Sequence, residues 1–359
     1  MAATLNLTEP CSTGIGGDAF ALYYNAKTKQ VTCMQGNGAS GAQFSLDLLN
    51  SRGIGDPAEG LKPLDPRSGL SITVPGAAAL WEDLVVQHGQ LKLSEVLGPA
   101  ICLAEEGFPI HPVTAEQWTN AFLQGDEALR PNNDPIQSGQ VFRNPDLAQT
   151  FRLLGEYGAA KGFSSGRIAE AIIQATQDNG GVLTLEDLAD HRTAHADPIS
   201  TVYRGVRVYQ TPPSSHGLAV LLALNFLQQL TQREPIDLNS FALGSTSFPP
   251  EWASKFDADE IHRSLECMRR AYCDGLQFIG DPRTDAIPIT ELLSEEYAKQ
   301  RVQGIQADAA TEVSPGDISA YLQSDTVYFS VVDSQGNACS MINSNYMGFG
   351  SGIPLSIYS

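Results

Sequence analysis

The sequence predicts a mixed fold, α/β or α+β, on three observations. β-prone runs lie near the N-terminus, the long middle is dominated by helical periodicity, and a second pair of β-prone runs lies close to the C-terminus. In order, Asp18 to Tyr24 and Gln30 to Met34 flank Asn25-Ala26-Lys27-Thr28-Lys29 and read as a hairpin. Ala77 to Gln87 places Leu80, Leu84 and Val85 at helical spacing, and Ser94 reads as the N-cap of a helix ending at Gly107. Ile168 to Gln177, Gly217 to Leu230 and Ala258 to Phe278 are further helices, and Thr184 with Asp187 forms a capping box. Gly205 to Gln210 is a strand. Phe248-Pro249-Pro250 and Asp308 to Gly316 read as polar, proline-containing surface loops, and no internal repeat or low-complexity tract is present.

Composition bounds the function. With 359 residues and 42% hydrophobic content, the chain can bury one large core or two smaller ones. Its 22 basic and 41 acidic residues give a net charge of −19, which argues against nucleic acid or an anionic membrane as partner, since both need a positive field. There is no basic-plus-apolar signal segment and no apolar run of about 18 residues, which favours a cytoplasmic location for the chain as written. Cys11, Cys33, Cys102, Cys267, Cys273 and Cys339 lack the close pairing of zinc sites and read as mostly buried free thiols of an intracellular protein. Asn6-Leu7-Thr8 is a glycosylation sequon only formally.

Several motifs fall away on context. Gly14-Ile15-Gly16-Gly17-Asp18-Ala19 matches the dinucleotide fingerprint as a string, but that motif follows a strand and opens a helix, whereas here strand-like Phe20 to Tyr24 comes next. A glycine-rich turn beside an active site is the better use. No Gly-x-Ser-x-Gly elbow, His-Glu-x-x-His or Walker loop occurs. His191 and His195 have i, i+4 spacing but no placed acidic partner, and read as two surface histidines at a helix end. Ser214-Ser215-His216 reads as the turn that opens the Gly217 helix.

The informative stretch is Asp325-Thr326-Val327-Tyr328-Phe329-Ser330-Val331-Val332-Asp333, which leads through Ser334-Gln335-Gly336-Asn337 into a second run, Ala338 to Asn345. A two-residue loop at Gln335-Gly336 pairs Thr326 with Asn345; a three-residue loop faces it with Ser344; a loop at Gly336-Asn337 slides the pairing to Met347. Either of the first two registers puts a short polar side chain within about 5 Å of the threonine Cβ. On spacing alone, the ordinary reading is a half-buried hairpin whose threonine is a good strand former. The alternative is chemical. If the bond before Thr326 is cut, one residue supplies both a nucleophilic hydroxyl and, in its freed α-amine, a general base.

With Gly69-Leu70-Ser71-Ile72-Thr73-Val74-Pro75-Gly76, Glu106-Gly107-Phe108, Gly181-Val182-Leu183-Thr184-Leu185-Glu186-Asp187-Leu188, Tyr203-Arg204-Gly205 and Gly280-Asp281-Pro282-Arg283 in the same order, the chain resembles the γ-glutamyltranspeptidase family of Ntn hydrolases along nearly its whole length. The resemblance implies a four-layer αββα sandwich and a proenzyme that cuts itself between Asp325 and Thr326, with the Asp308 to Gly316 loop holding the cleavable connection exposed. It implies Thr326 as nucleophile, Ser344 as a second hydroxyl bonded to the nucleophile's oxygen, and Asn345 as a substrate-binding residue. It further implies no metal or organic cofactor, a small amide or γ-glutamyl substrate, and large and small subunits from one precursor. Residues 1–325 correspond to the large-subunit region and 326–359 to the start of the small one, in one structural domain overall.

Two departures from the family pattern matter. Glutathione-cleaving members carry an arginine that grips the glutamyl α-carboxylate where this chain has Gln35-Gly36-Asn37-Gly38, and asparagine supplies neither charge nor fork geometry. Asn343 to Gly350 resembles oxamate amidohydrolase-like and other acylase-like relatives more closely. The resemblance also implies a chain truncated at Ser359, lacking the oxyanion-hole glycines, and an N-terminus that begins inside the family's first buried helix. The rival expectation is therefore a folded but inert pseudoenzyme with a binding role, whose signature is an uncut chain.

Overall fold

The computed structural model describes residues 1–120, 136–231, 258–313 and 326–355. Asp325, the Phe248-Pro249-Pro250 segment and the 314–316 end of the second predicted loop lie outside the described residues. The chain divides into two compact units, one from Met1–Lys27, Met34–His195 and Gln323–Ser359, the other from Thr28–Cys33 and Ala196–Leu322.

The described strands are β1 (Asp18–Asn25), β2 (Gln30–Gly36), β3 (Phe108–Pro109), β4 (Val141–Phe142), β5 (Ala194–Ala196), β6 (Ile199–Tyr203), β7 (Val206–Gln210), β8 (Val327–Val332) and β9 (Ala338–Ser344). In the first unit, neighbouring strands run in the order Met34–Gly36 of β2, then β1, β9 and β8. β9 is antiparallel to both neighbours, so the C-terminal hairpin is zipped onto the N-terminal one, with Asp18 opposite Ser344 and Tyr24 opposite Ala338. Because side chains alternate across a strand, Ala19, Ala21 and Met341 share one face, and there they join a buried cluster with Leu80, Trp81, Leu97, Ala100, Phe151 and Leu154. Those side chains come from the Ala77–His88, Leu93–Glu106 and Pro145–Gly162 helices. Each large one contributes about 1.5–3 kcal/mol on burial. On the opposite face Phe20, Leu22 and Ile342 are half-buried while Tyr328 and Val332 are exposed.

The hairpin loop has the three-residue form. Asp333 N–H donates to the Asn337 carbonyl at 2.9 Å, and Gly336 N–H to the Asp333 carbonyl at 3.1 Å. Gly336 at φ +83 takes the left-handed position that closes such a loop. The Asp333 carboxylate holds it there by accepting from Gln335 N, Asn337 N and Asn337 Nδ2.

Local expectations mostly match at the element level. The 77–88, 166–178, 217–231 and 258–278 helices are present, and Thr184 with Asp187 forms the capping box. Ser94 is not the cap: the helix starts at Leu93, and it is the Lys92 N–H that the Glu95 carboxylate accepts, at 3.0 Å. Nor do His191 and His195 share a helix end, since the helix stops at Asp190 and His195 lies in β5. Asn6 is buried in the Ala2–Thr8 helix with its amide donating to Thr13 Oγ1, which closes the sequon. Cys11, Cys33, Cys267 and Cys273 are buried, Cys339 is half-buried and Cys102 is exposed.

The second unit centres on the Gly217–Thr231 and Ala258–Phe278 helices, whose Leu218, Leu222, Phe226, Cys267 and Ala271 share a core. Its β6–β7 hairpin turns on Arg204-Gly205 with φ of +49 and +80, the two positive angles of a two-residue turn that fits strand twist. No described helix is long and apolar enough to cross a membrane.

Candidate active site

Three strand ends meet at one end of the first unit's sheet. β8 pairs with β9 from Val327 opposite Asn343 onward, so one residue further Thr326 stands opposite Ser344. Thr326 Oγ1 and Ser344 Oγ lie 2.8 Å apart. Tyr346 N–H donates to Ser344 Oγ at 3.0 Å, which fixes the serine hydroxyl from the other side, and Tyr346 adopts φ +73 to do so. Thr326 is exposed at the head of an edge strand, so its oxygen is accessible to a reactant.

Asn345 takes a different direction. Its Nδ2 donates to the Pro10 carbonyl at 3.4 Å, and its backbone N–H donates to Ser12 O at 3.3 Å. The glycine-rich turn packs directly against it. A Cβ on Gly17 would come within 2.0 Å of the Ser344 carbonyl oxygen and 2.8 Å of Asn345 Oδ1, so only glycine fits. The structure thus brings Thr326 and Ser344 together, seats Asn345 on the Gly14–Gly17 turn beside them, and leaves the Asp325 side of the scissile bond outside the described residues.

Two further residues complete the arrangement, and neither was singled out by sequence reasoning. Asn343 is fully buried: its Oδ1 accepts from Trp81 Nε1 at 3.1 Å, and its Nδ2 donates to the Gly14 and Asp18 carbonyls at 3.2 and 3.1 Å. It clamps the Ala77–His88 helix, the glycine turn and β1 beneath the hydroxyl pair. Asp18, opposite Ser344, accepts from Gly38 N at 3.1 Å. Asp18 keeps some solvent-facing area, yet protein surrounds its carboxylate. That desolvation pushes its pKa up to about 6, with the Gly38 bond pulling the other way. The signals were present as the Asn343-Ser344-Asn345 triplet and the acid at the head of β1, but the partners of Asn343 are more than 260 positions away in sequence, and Ser344, the strand partner of Asp18, is as remote.

Among the described residues no group of three or more His, Cys, Asp or Glu side chains could hold a metal ion. The chemistry on offer is a hydroxyl pair at a strand terminus.

A family model described as Gamma-glutamyltranspeptidase matches residues 1–356. The chain belongs to the γ-glutamyltranspeptidase family. It is similar to the glutathione hydrolase-like YwrD proenzyme of Bacillus subtilis (strain 168), at 32% identity over 98% of this chain and 62% of the relative. It also resembles the glutathione hydrolase proenzyme of Escherichia coli (strain K12), at 30% identity over 97% of this chain and 58% of that protein. Among solved structures, the cephalosporin acylase from Bacillus halodurans superposes with TM-score 0.80 and 32% identity over 98% of this chain and 61% of the acylase. The Helicobacter pylori γ-glutamyltranspeptidase gives TM-score 0.70 and 27% identity over 86% of this chain and 84% of that one. The fold is accordingly the mixed α+β Ntn-hydrolase architecture, an αββα sandwich. This γ-glutamyltranspeptidase family chain spans about six-tenths of the length of the curated relatives it matches.

Proposed function

We propose that this family member is an N-terminal-nucleophile amide hydrolase or acyltransferase, formed by self-cleavage before Thr326 and acting on γ-glutamyl or related amide bonds. The observation that carries the reading is the 2.8 Å contact between Thr326 Oγ1 and Ser344 Oγ at the exposed head of β8. In the maturation step the Thr326 hydroxyl attacks the Asp325 carbonyl carbon, the peptide C–N bond breaks, and the threonine nitrogen leaves as a free amine. Water then hydrolyses the resulting ester and returns Asp325 as a carboxylate. In turnover the same hydroxyl attacks the substrate amide while the new α-amine accepts its proton, and Ser344 orients the oxygen. The amine passes that proton to the leaving nitrogen, and water or an acceptor amine releases the acyl group. On this reading Asn345 is a substrate-binding residue and the products of maturation are a large and a small subunit.

A second reading of the acyl group, a small non-glutamyl one such as oxamate, is supported by one observation. Asn37 and Gly38 follow β2 where glutathione-cleaving relatives are expected to carry an arginine, and asparagine offers no guanidinium fork to hold a glutamyl α-carboxylate. γ-Glutamyl anilide and oxamate offered in turn separate the two. In both cases Thr326→Ala should abolish hydrolysis, and hydrolysis that survives that substitution overturns the assignment of Thr326. The rate should also rise with pH through about 8, the ordinary range of an α-amine that must be neutral to act as a base.

A further inference from the structure

Asp18, Ser344 and Thr326 form one row across three adjacent strands. Asp18 is the β1 partner of Ser344, and Thr326 is its β8 partner by one step beyond the Val327–Asn343 pair. Directly opposed residues of antiparallel strands project to the same face, so all three side chains stand on the side away from Asn343 and Trp81. Neighbouring Cα atoms in such a row are about 4.5–5.5 Å apart, which puts the acid and the nucleophile about 10 Å apart at their Cα atoms. Of that span about 3 Å is taken by a hydrogen bond to the carboxylate and about 1.5 Å by the bond to the nucleophile, which leaves roughly 6 Å, the reach of an acyl chain of about five atoms. Among the described residues, only Gly38 N–H donates to the Asp18 carboxylate, and it occupies one oxygen. The half-buried side chain keeps its second oxygen for another donor.

We propose that Asp18 is a specificity residue of the acyl pocket, selecting acyl groups that carry an ammonium or other N–H donor about five atoms from the scissile carbonyl and rejecting those that end in a carboxylate. This deepens the reading of Thr326 as nucleophile and rests on it for the position of the carbonyl. On a γ-glutamyl chain, the group meeting Asp18 is the ammonium. A purely structural role does not call for a charge here, because an asparagine or serine acceptor would serve the Gly38 N–H without the desolvation that burdens a carboxylate. A desolvated charge attracts a cationic substrate group more strongly than an exposed one would, since the local dielectric is low. It repels an anionic one for the same reason.

The test separates this proposal from catalysis by reading binding in a co-expressed two-chain form, residues 1–325 with a 326–359 piece carrying Thr326→Ala, which opens the position before residue 326 without self-cleavage and in which no turnover is expected. 5-Aminopentanamide and glutaramate have similar length and end in an ammonium and a carboxylate respectively; their affinities are measured by isothermal titration. The expected result is at least tenfold tighter binding of 5-aminopentanamide, with Asp18→Asn bringing the two within about twofold of each other. Asp18→Ser serves as a second neutral variant, each variant being checked by its melting profile. Equal affinities, a preference for glutaramate, binding of neither amide, or a preference that survives both neutral variants would overturn the proposal. A preference that vanishes with Asp18, in a protein whose parent hydrolyses no amide, would leave the pocket standing and remove the nucleophile. Turnover by the parent without any charge preference would do the reverse.

Discussion

Replacing Asn343 by leucine tests whether the hydroxyl pair rests on a polar clamp. The side chains have similar volume, so packing is largely conserved and the loss is electrostatic. Three hydrogen bonds disappear, from Trp81 Nε1 and to the Gly14 and Asp18 carbonyls. At about 1 kcal/mol net each they account for about 3 kcal/mol, and the Trp81 N–H, left unpaired, adds about 1 kcal/mol or more. The total expected loss is therefore about 4 kcal/mol, against a typical domain stability of about 5–15 kcal/mol. Urea unfolding followed by tryptophan fluorescence measures it, with the slope checked for constancy. Trp81→Phe supplies the cross-check: it removes the donor, so in the double variant the orphan penalty vanishes and the two losses sum to less than their separate values by about 1–2 kcal/mol. A loss under 1 kcal/mol for Asn343→Leu, or strict additivity with Trp81→Phe, would refute the clamp.

Asp18→Asn should stabilise the protein in a pH-dependent way. The folded carboxyl is raised to about 6 from 3.8, so the folded state holds the proton more tightly and wild-type stability falls as pH rises through that window. The difference corresponds to about 3 kcal/mol, less the weakened Gly38 bond. The variant's advantage should appear above pH 6 and vanish below pH 4 in denaturant titrations; an advantage independent of pH would show that burial does not perturb Asp18. Gly17→Ala should displace the end of β9, because its Cβ would sit 2.0 Å from the Ser344 carbonyl oxygen. The variant should lose hydrolysis along with part of its thermal stability, and wild-type rates would contradict the close approach.

The fold class and most helices were legible because their signals are local. Periodicity locates the 77–88 and 258–278 helices, and the Thr184–Asp187 box lies within four residues. Ser94 misled because serine is a good cap in general, whereas here Glu95 reaches back to the Lys92 N–H. The register at Thr326 was left among Asn345, Ser344 and Met347 by pattern alone. What decides it is the Asp333 side chain, which gathers the N–H groups of Gln335 and Asn337 and enforces the three-residue loop. Asp18 and Asn343 were not legible because their importance comes from the pairing of β1 with β9, a contact between the two ends of the chain. A strand's period of two fixes which side chains share a face and says nothing of which distant strand lies alongside.

The most direct measurement is the intact mass and N-terminal chemistry of the purified chain. Wild type should resolve into two polypeptides, the smaller beginning at Thr326 and reacting there with an α-amine label, and Thr326→Ala should remain one full-length species. A wild-type protein that stays uncut, or one cut at any other bond, would contradict the role given to Thr326.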